Sequence, residues 1–162
     1  MAQWERCVGA TDEWYTPKYI FDALGEIFDL DAAAPQMGFA NVPAARWYYE
    51  GSLNETWRGF VWLNPPFGGR NGLVPWLDKF FDHGNGIALT PDRSSAPWWQ
   101  DAAIKCDGLL NTRGKVRFIR PDGSEGKSPN CGTTLWASGE RAVDALINAQ
   151  GAGLGVFMTK GT

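Results

Sequence analysis

The 162-residue chain predicts an α/β fold, a compact, mostly parallel sheet with helices on both faces. Two apolar runs, Phe60-Val61-Trp62-Leu63 and Gly86-Ile87-Ala88-Leu89-Thr90-Pro91, each pass through a proline- or serine-bearing loop into apolar residues at helical spacing. A third run, Phe28-Asp29-Leu30-Asp31, follows an amphipathic helix. Beyond residue 107 the runs become consecutive and strand-like, which predicts an antiparallel hairpin at one sheet edge toward the C-terminus. The length predicts one domain over residues 1–162, with room for a sizeable core.

Residues 1–12 carry little pattern beyond Trp4 and read as a loosely held arm. In Asp12-Glu13-Trp14-Tyr15-Thr16-Pro17, Thr16 is placed to cap a helix with Pro17 at its first position. Ile20, Phe21, Leu24, Ile27 and Phe28 then share one face of a helix of about three turns. Trp14 and Tyr15 serve either as a hydrophobic staple or as ligand contacts. The strand ending at Asp31 runs into small residues, Ala32-Ala33-Ala34. An acid there, beside residues that allow close approach, is a candidate anchor for a cation, with a turn aspartate as the plain alternative.

Arg46-Trp47-Tyr48-Tyr49 reads as a short strand, Glu50-Gly51-Ser52-Leu53 as the loop after it, and Trp57-Arg58-Gly59 as the approach to the next strand. That strand ends in Asn64-Pro65-Pro66-Phe67. Proline lacks an N–H, so the ladder stops there, leaving an amide, a carbonyl and a flat ring at the carboxyl edge, where open α/β sheets bind ligands. The two acceptors suit an exocyclic amine and the ring suits a planar base. A proline-stiffened turn is the alternative.

Leu73, Val74, Trp76, Leu77, Phe80 and Phe81 predict a helix, residues 86–91 a buried strand, and residues 94–106 a further helix. Residues 108–110, 115–119 and 133–137 predict strands, with turn chemistry at Pro121-Asp122-Gly123-Ser124. Between residues 113 and 127, Arg113, Lys115, Arg117, Arg120 and Lys127 outnumber Asp122 and Glu125, so the 111–131 hairpin is locally basic on a chain of net charge −3. Such a ribbon is a candidate seat for a phosphate backbone, or simply a solvated hairpin. Ala142, Val143, Leu146 and Ile147 predict the inner face of a helix over 140–149, and Val156-Phe157-Met158 a last strand.

The acidic balance (pI about 5.1) argues against a general polyanion binder. Cys7, Cys106 and Cys131 lack CxxC spacing, and the one histidine, His83, reads as solvated near a helix end, so no metal site is expected. No dinucleotide or Walker-type glycine fingerprint is present, and no stretch resembles a signal peptide or membrane span. A cytoplasmic protein is the default.

With these pieces placed, the chain resembles the phage-type Dam family of DNA adenine N6-methyltransferases. The resemblance runs from about Asp12 to the last strand. It is carried by Glu13-Trp14-Tyr15-Thr16-Pro17, Phe28-Asp29-Leu30-Asp31-Ala32-Ala33, Trp57-Arg58-Gly59 before Asn64-Pro65-Pro66-Phe67, and Gly114-Lys115-Val116-Arg117-Phe118. It implies a truncated class I, Rossmann-like methyltransferase that uses S-adenosylmethionine, acts on adenine-containing DNA and, if phage-encoded, works in the host cytoplasm. It implies that Trp14, Tyr15, Thr16 and Pro17 support the cofactor's methionine end, and that Asp31, Ala32 and Ala33 line the cofactor loop. Asn64, Pro65, Pro66 and Phe67 would form the base pocket, with Asn64 also beside the cofactor. Ser52 and Leu53 fall where related enzymes place an acid–aromatic pair against the cofactor's adenine, so serine there is a departure. Related tetrapeptides also serve enzymes that methylate RNA base amines or protein amides. A non-catalytic nucleic-acid-binding module is the remaining alternative.

Overall fold

One seven-stranded sheet carries the molecule, and the computed structural model describes residues 15–35, 41–67, 72–126, 129 and 131–160. Its strands are β1 (Phe28–Asp31), β2 (Ala44–Trp47), β3 (Val61–Leu63), β4 (Gly86–Pro91), β5 (Gly108–Thr112), β6 (Thr133–Ser138) and β7 (Gly155–Met158). The helices are α1 (Lys18–Leu24), α2 (Val74–His83), α3 (Pro97–Lys105) and α4 (Glu140–Gly151). The spatial order is β2-β1-β3-β4-β6-β5-β7. Strands β2, β1, β3 and β4 pair in parallel, and β6 runs antiparallel between β4 and β5. Strand β7 pairs antiparallel with the outer side of β5.

The antiparallel excursion that the sequence predicts beyond residue 107 is present as the consecutive pair β5–β6, and β7 adds a further antiparallel pairing on the far side of β5. Strands β6 and β7 both pair with β5 and not with each other. They are joined through α4, which is far too long for a hairpin turn and lets β7 cap the otherwise open edge of β5.

Alternation along the strands divides the core into two layers. Trp62, Ile87, Leu89, Leu110, Leu135 and Ala137 pack with Ile20, Phe21 and Leu24 of α1 and with Ala142, Ala145, Leu146 and Ala149 of α4. Their neighbours Val61, Leu63, Ala88, Leu109 and Trp136 pack on the other side with Leu77 and Phe80 of α2 and Ala102 of α3. This is the period-two pattern of a sheet buried on both faces.

Several local expectations shift. Helix α1 has seven residues and stops at Gly25, whose left-handed φ of 65° ends it with a bond to the Phe21 carbonyl at 3.0 Å. Ile27 lies beyond that stop and is exposed. The N-cap is Pro17, and no side chain caps α1, so Thr16 does not. Strand β2 begins two residues earlier than predicted, because Phe28 pairs with Ala44. In α4 the buried stripe is Ala142, Ala145, Leu146 and Ala149; Ile147 is exposed. The small alanines allow the helix to lie close to the sheet. Residues 115–119 form no sheet strand, although Ile119 makes single bridges to Tyr15 and Glu125.

Gly59 takes φ 75°, and a Cβ there would lie 2.3 Å from Asp29 Oδ2. That carboxylate accepts the Phe60 N–H at 2.7 Å and sets the entry to β3. His83, at the end of α2, shares a hydrogen bond with the Gly59 carbonyl at 2.7 Å, so it is held rather than freely solvated. No helix among the described residues is long and apolar enough to cross a membrane.

Candidate active site

The parallel strands deliver their carboxyl ends to one edge, and β1 and β3 are neighbours there, with Asp31 paired to Trp62. Asn64-Pro65-Pro66-Phe67 follow β3 directly. The Asn64 side chain is half-buried, and its Nδ2 donates to Thr16 Oγ1 at 3.3 Å. Among the described residues no donor reaches Asn64 Oδ1 or the Pro65 carbonyl. Phe67 is 7% exposed and belongs to the core layer that holds Leu30, Trp57, Leu63 and Leu77. Its ring is a wall of the core here rather than a freely standing platform.

Asp31 ends β1 and is 3% exposed. Its Oδ1 accepts the Ala33 N–H at 3.3 Å, and it joins none of the ion pairs among the described residues. Burial pushes its carboxyl up to about 7, opposed by the Ala33 N–H. The loop after it is pinned on both sides. Ala32 N donates to the Trp62 carbonyl at 2.9 Å, Tyr48 N to that of Asp31 at 3.0 Å, and Ala34 N to that of Tyr48 at 2.9 Å. A desolvated carboxylate with one backbone donor and no cation favours a positively charged ligand group.

Thr16 is buried and held from both sides. Tyr15 exchanges both backbone hydrogen bonds with Ile119, each 2.8 Å, and Asn41 Nδ2 donates to the Thr16 carbonyl at 3.1 Å. Its hydroxyl faces Asn64 instead of the helix. Pro17 follows as the N-cap of α1. Ser52 and Leu53 lie in a 3-10 turn, Ser52–Asn54, fastened from elsewhere. Trp57 Nε1 donates to both the carbonyl and Oγ of Ser52 at 3.0 Å. Lys79 Nζ donates to the Ser52, Leu53 and Glu55 carbonyls and sits 5.2 Å over the Trp57 ring. Among the described residues no direct hydrogen bond links this knot to Asp31 or Asn64. Lys79 and Trp57 are its organising residues, and nothing in the sequence singles out Lys79. A lysine on the polar side of an amphipathic helix carries no such signal.

In the basic segment, Val116 and Phe118 are buried in the core layer of α1 and α4, while Arg113, Lys115 and Arg117 are exposed. Arg117 faces Glu125 at 3.4 Å. Arg120 donates to the Glu125 carbonyl at 2.6 Å and to Ser124 Oγ at 3.4 Å, so it braces the turn as well as carrying charge. Hydrogen bonds from the Ser124 hydroxyl and N–H hold the Asp122 carboxyl below its ordinary value. The Tyr15–Ile119 pair joins this turn to the residue next to Thr16. Trp14 and Lys127 lie outside the described residues.

Fold and edge together define a mixed α/β protein with an acid, an amide and an open carbonyl gathered at the carboxyl ends of adjacent strands. A family model described as DNA N-6-adenine-methyltransferase (Dam) matches residues 5–137, and the chain belongs to that family. The match ends within β6, so α4 and β7 lie beyond it. No curated protein and no solved structure matches the chain.

Proposed function

We propose that the protein is a single-domain, class I-type DNA adenine N6-methyltransferase that uses S-adenosylmethionine. The observation that carries this reading is the pair of acceptors at Asn64 and Pro65 beside a buried acid, Asp31, the acceptors meeting no donor and the acid no cation among the described residues. Asp31 fits the ammonium group of the donor, with the backbone of Ala32 and Ala33 close by and Thr16-Pro17 and Ser52-Leu53 as the further candidate contacts. When bound, S-adenosylmethionine supplies a methyl group made electrophilic by its sulfonium.

The chain's own residues position the acceptor. The lone pair of an adenine amine is delocalised into the ring. Two hydrogen bonds from the amine, one to Asn64 Oδ1 and one to the Pro65 carbonyl, favour a pyramidal nitrogen whose lone pair is available. With that donor bound, Asn64 Oδ1 and the Pro65 carbonyl would hold the nitrogen for methyl transfer, and the proton it gives up would leave to water. Asn64 is no base, so positioning and electrostatics supply the acceleration. Phe67 borders the base position, and a base flipped from the duplex would meet the exposed margin of its ring. Arg113, Lys115, Arg117 and Arg120 offer charge to the DNA backbone.

The test incubates purified protein with methyl-labelled S-adenosylmethionine and, separately, adenine-containing DNA, RNA and protein. Label on DNA adenine is expected, and Asn64→Ala should abolish it while leaving thermal unfolding unchanged. Label confined to RNA or protein, or full activity in Asn64→Ala, overturns the reading.

A further inference from the structure

We infer that Trp47 is a second contact for the donor's ammonium group, its indole face covering the cation that Asp31 holds. This rests on the function proposed above, in which Asp31 takes that ammonium. Asp31 is in register with Trp47 on one side and with Trp62 on the other. Partners in register point to the same face of a sheet, and successive residues of a strand point to opposite faces. Trp62 packs in the layer of α1 and α4, whereas Tyr48, the residue after Trp47, packs against the layer of α2 and α3. Both relations turn Trp47 and Asp31 toward the face that carries α1. Leu63 belongs to the α2 layer, so Asn64 turns to the α1 face as well, in keeping with its bond to Thr16 just before α1. Trp47, Asp31 and Asn64 thus stand at the ends of three adjacent strands, β2, β1 and β3, on one face of the carboxyl edge.

The two side chains complement each other around a cation. Asp31 is buried and joins no ion pair among the described residues. Trp47 is 63% exposed, a large apolar side chain on the end strand of the sheet. Neighbouring strands lie about 4.8 Å apart, and a tryptophan face attracts a cation within about 6 Å of its centre. An ammonium on the Asp31 carboxylate is therefore within reach of the indole. The backbone fixes this spacing, since the Tyr48 N–H donates to the Asp31 carbonyl at 3.0 Å and the Ala34 N–H to the Tyr48 carbonyl at 2.9 Å. The carboxylate acts through its charge and the ring through its quadrupole, and the ring also keeps water from the cation.

Trp47→Leu keeps an apolar side chain without a π face, and Trp47→Phe keeps a face. Calorimetry measures binding of S-adenosylhomocysteine, which carries the α-ammonium but no sulfonium charge, and of its analogue with hydrogen in place of the amino group. Trp47→Leu should weaken S-adenosylhomocysteine about fivefold and leave the deamino analogue within about twofold of the original protein. Trp47→Phe should stay within about twofold for both ligands. An unchanged affinity for S-adenosylhomocysteine in Trp47→Leu overturns the inference. So do equal losses for the two ligands, because the ring would then touch another part of the donor, and so does a loss in Trp47→Phe as large as in Trp47→Leu. Asp31→Asn, measured alongside, separates the two levels. If it weakens S-adenosylhomocysteine while Trp47→Leu does not, the inference alone fails; if the unaltered protein binds neither ligand, the proposed function fails and the inference with it.

Discussion

Replacing Asp31 by asparagine should stabilise the protein, and increasingly so as pH rises from about 4 to about 7. The carboxyl is moved by burial from its ordinary 3.8 to about 7. A folded-state value raised above the unfolded one means that the folded chain holds the proton more tightly. The unfolded chain therefore gives it up first, and stability falls as pH climbs between the two values. At about 1.4 kcal/mol per pH unit, the gap sets a ceiling of about 4 kcal/mol on the cost of keeping Asp31 ionised above pH 7. Below pH 4 that cost is absent. Asparagine has nearly the same shape and no charge, so the difference between variant and original should grow by up to about 3 kcal/mol from pH 5 to pH 8. In a domain of this size each kcal/mol moves Tm by about 2–4 °C. Thermal unfolding of both proteins at several pH values reads the effect, and the pH-dependent part is the measurement, whatever constant offset the amide adds. The same substitution should weaken S-adenosylmethionine binding. In the original protein that binding should loosen as pH falls below about 7, by up to tenfold per unit, because the donor's cation must find Asp31 ionised. A difference between the two proteins that stays flat from pH 5 to pH 8 would refute the burial argument.

Gly59→Ala should lower stability by about 2–4 kcal/mol in denaturant unfolding, because it combines a left-handed backbone with a displaced charge-assisted hydrogen bond. The atom displaced is Asp29 Oδ2, which lies 2.3 Å from the added methyl and holds the Phe60 N–H; an unchanged midpoint would show that the strand entry adjusts freely. Arg117→Gln should weaken DNA binding uniformly across sequences and reduce the slope of log affinity against log salt by about 0.9. An unchanged slope removes that side chain from the interface. Arg120→Gln should do the same and also speed amide exchange at Gly123 and Gly126, since Arg120 braces their turn through the Glu125 carbonyl. Exchange equal to the original would confine Arg120 to a charge role.

Strands β1 and β4 are legible nearly to the residue because each is a short apolar run closed by a turn or a proline. The Val116 and Phe118 alternation is equally real, since both side chains are buried. The inference to a sheet strand fails because the backbone of that segment pairs with Tyr15 and with its own turn instead of with a sheet strand. Alternation reports which side chains face the core, and pairing partners far along the chain leave no mark on it. The face of α4 slipped for a related reason. Ile147 is the more apolar residue, but the stripe that meets the sheet is Ala142, Ala145, Leu146 and Ala149, three small residues around one leucine. Asp31 was visible as an acid at a strand end. That no cation among the described residues pairs with it depends on elements far along the chain, which leave no mark on this stretch.

The sheet itself limits what can occupy the edge. Asp31 is in register with Trp62, and Asn64 lies two residues beyond Trp62 on the adjacent parallel strand. Neighbouring strands about 4.8 Å apart and a rise of about 3.3 Å per residue put the two backbone positions about 8 Å from one another. That is the reach of a single amino-acid side chain. On the function proposed above, a cation held by Asp31 and a methyl group delivered beside Asn64 would be parts of one donor molecule of amino-acid type. The consequence is a division of labour that kinetics resolves. Changes at Asp31 should act on the donor's binding constant, and changes at Asn64 on kcat with donor binding intact. A loss of DNA affinity in Asp31→Asn with donor binding unchanged would separate the two sites and break the argument from strand register.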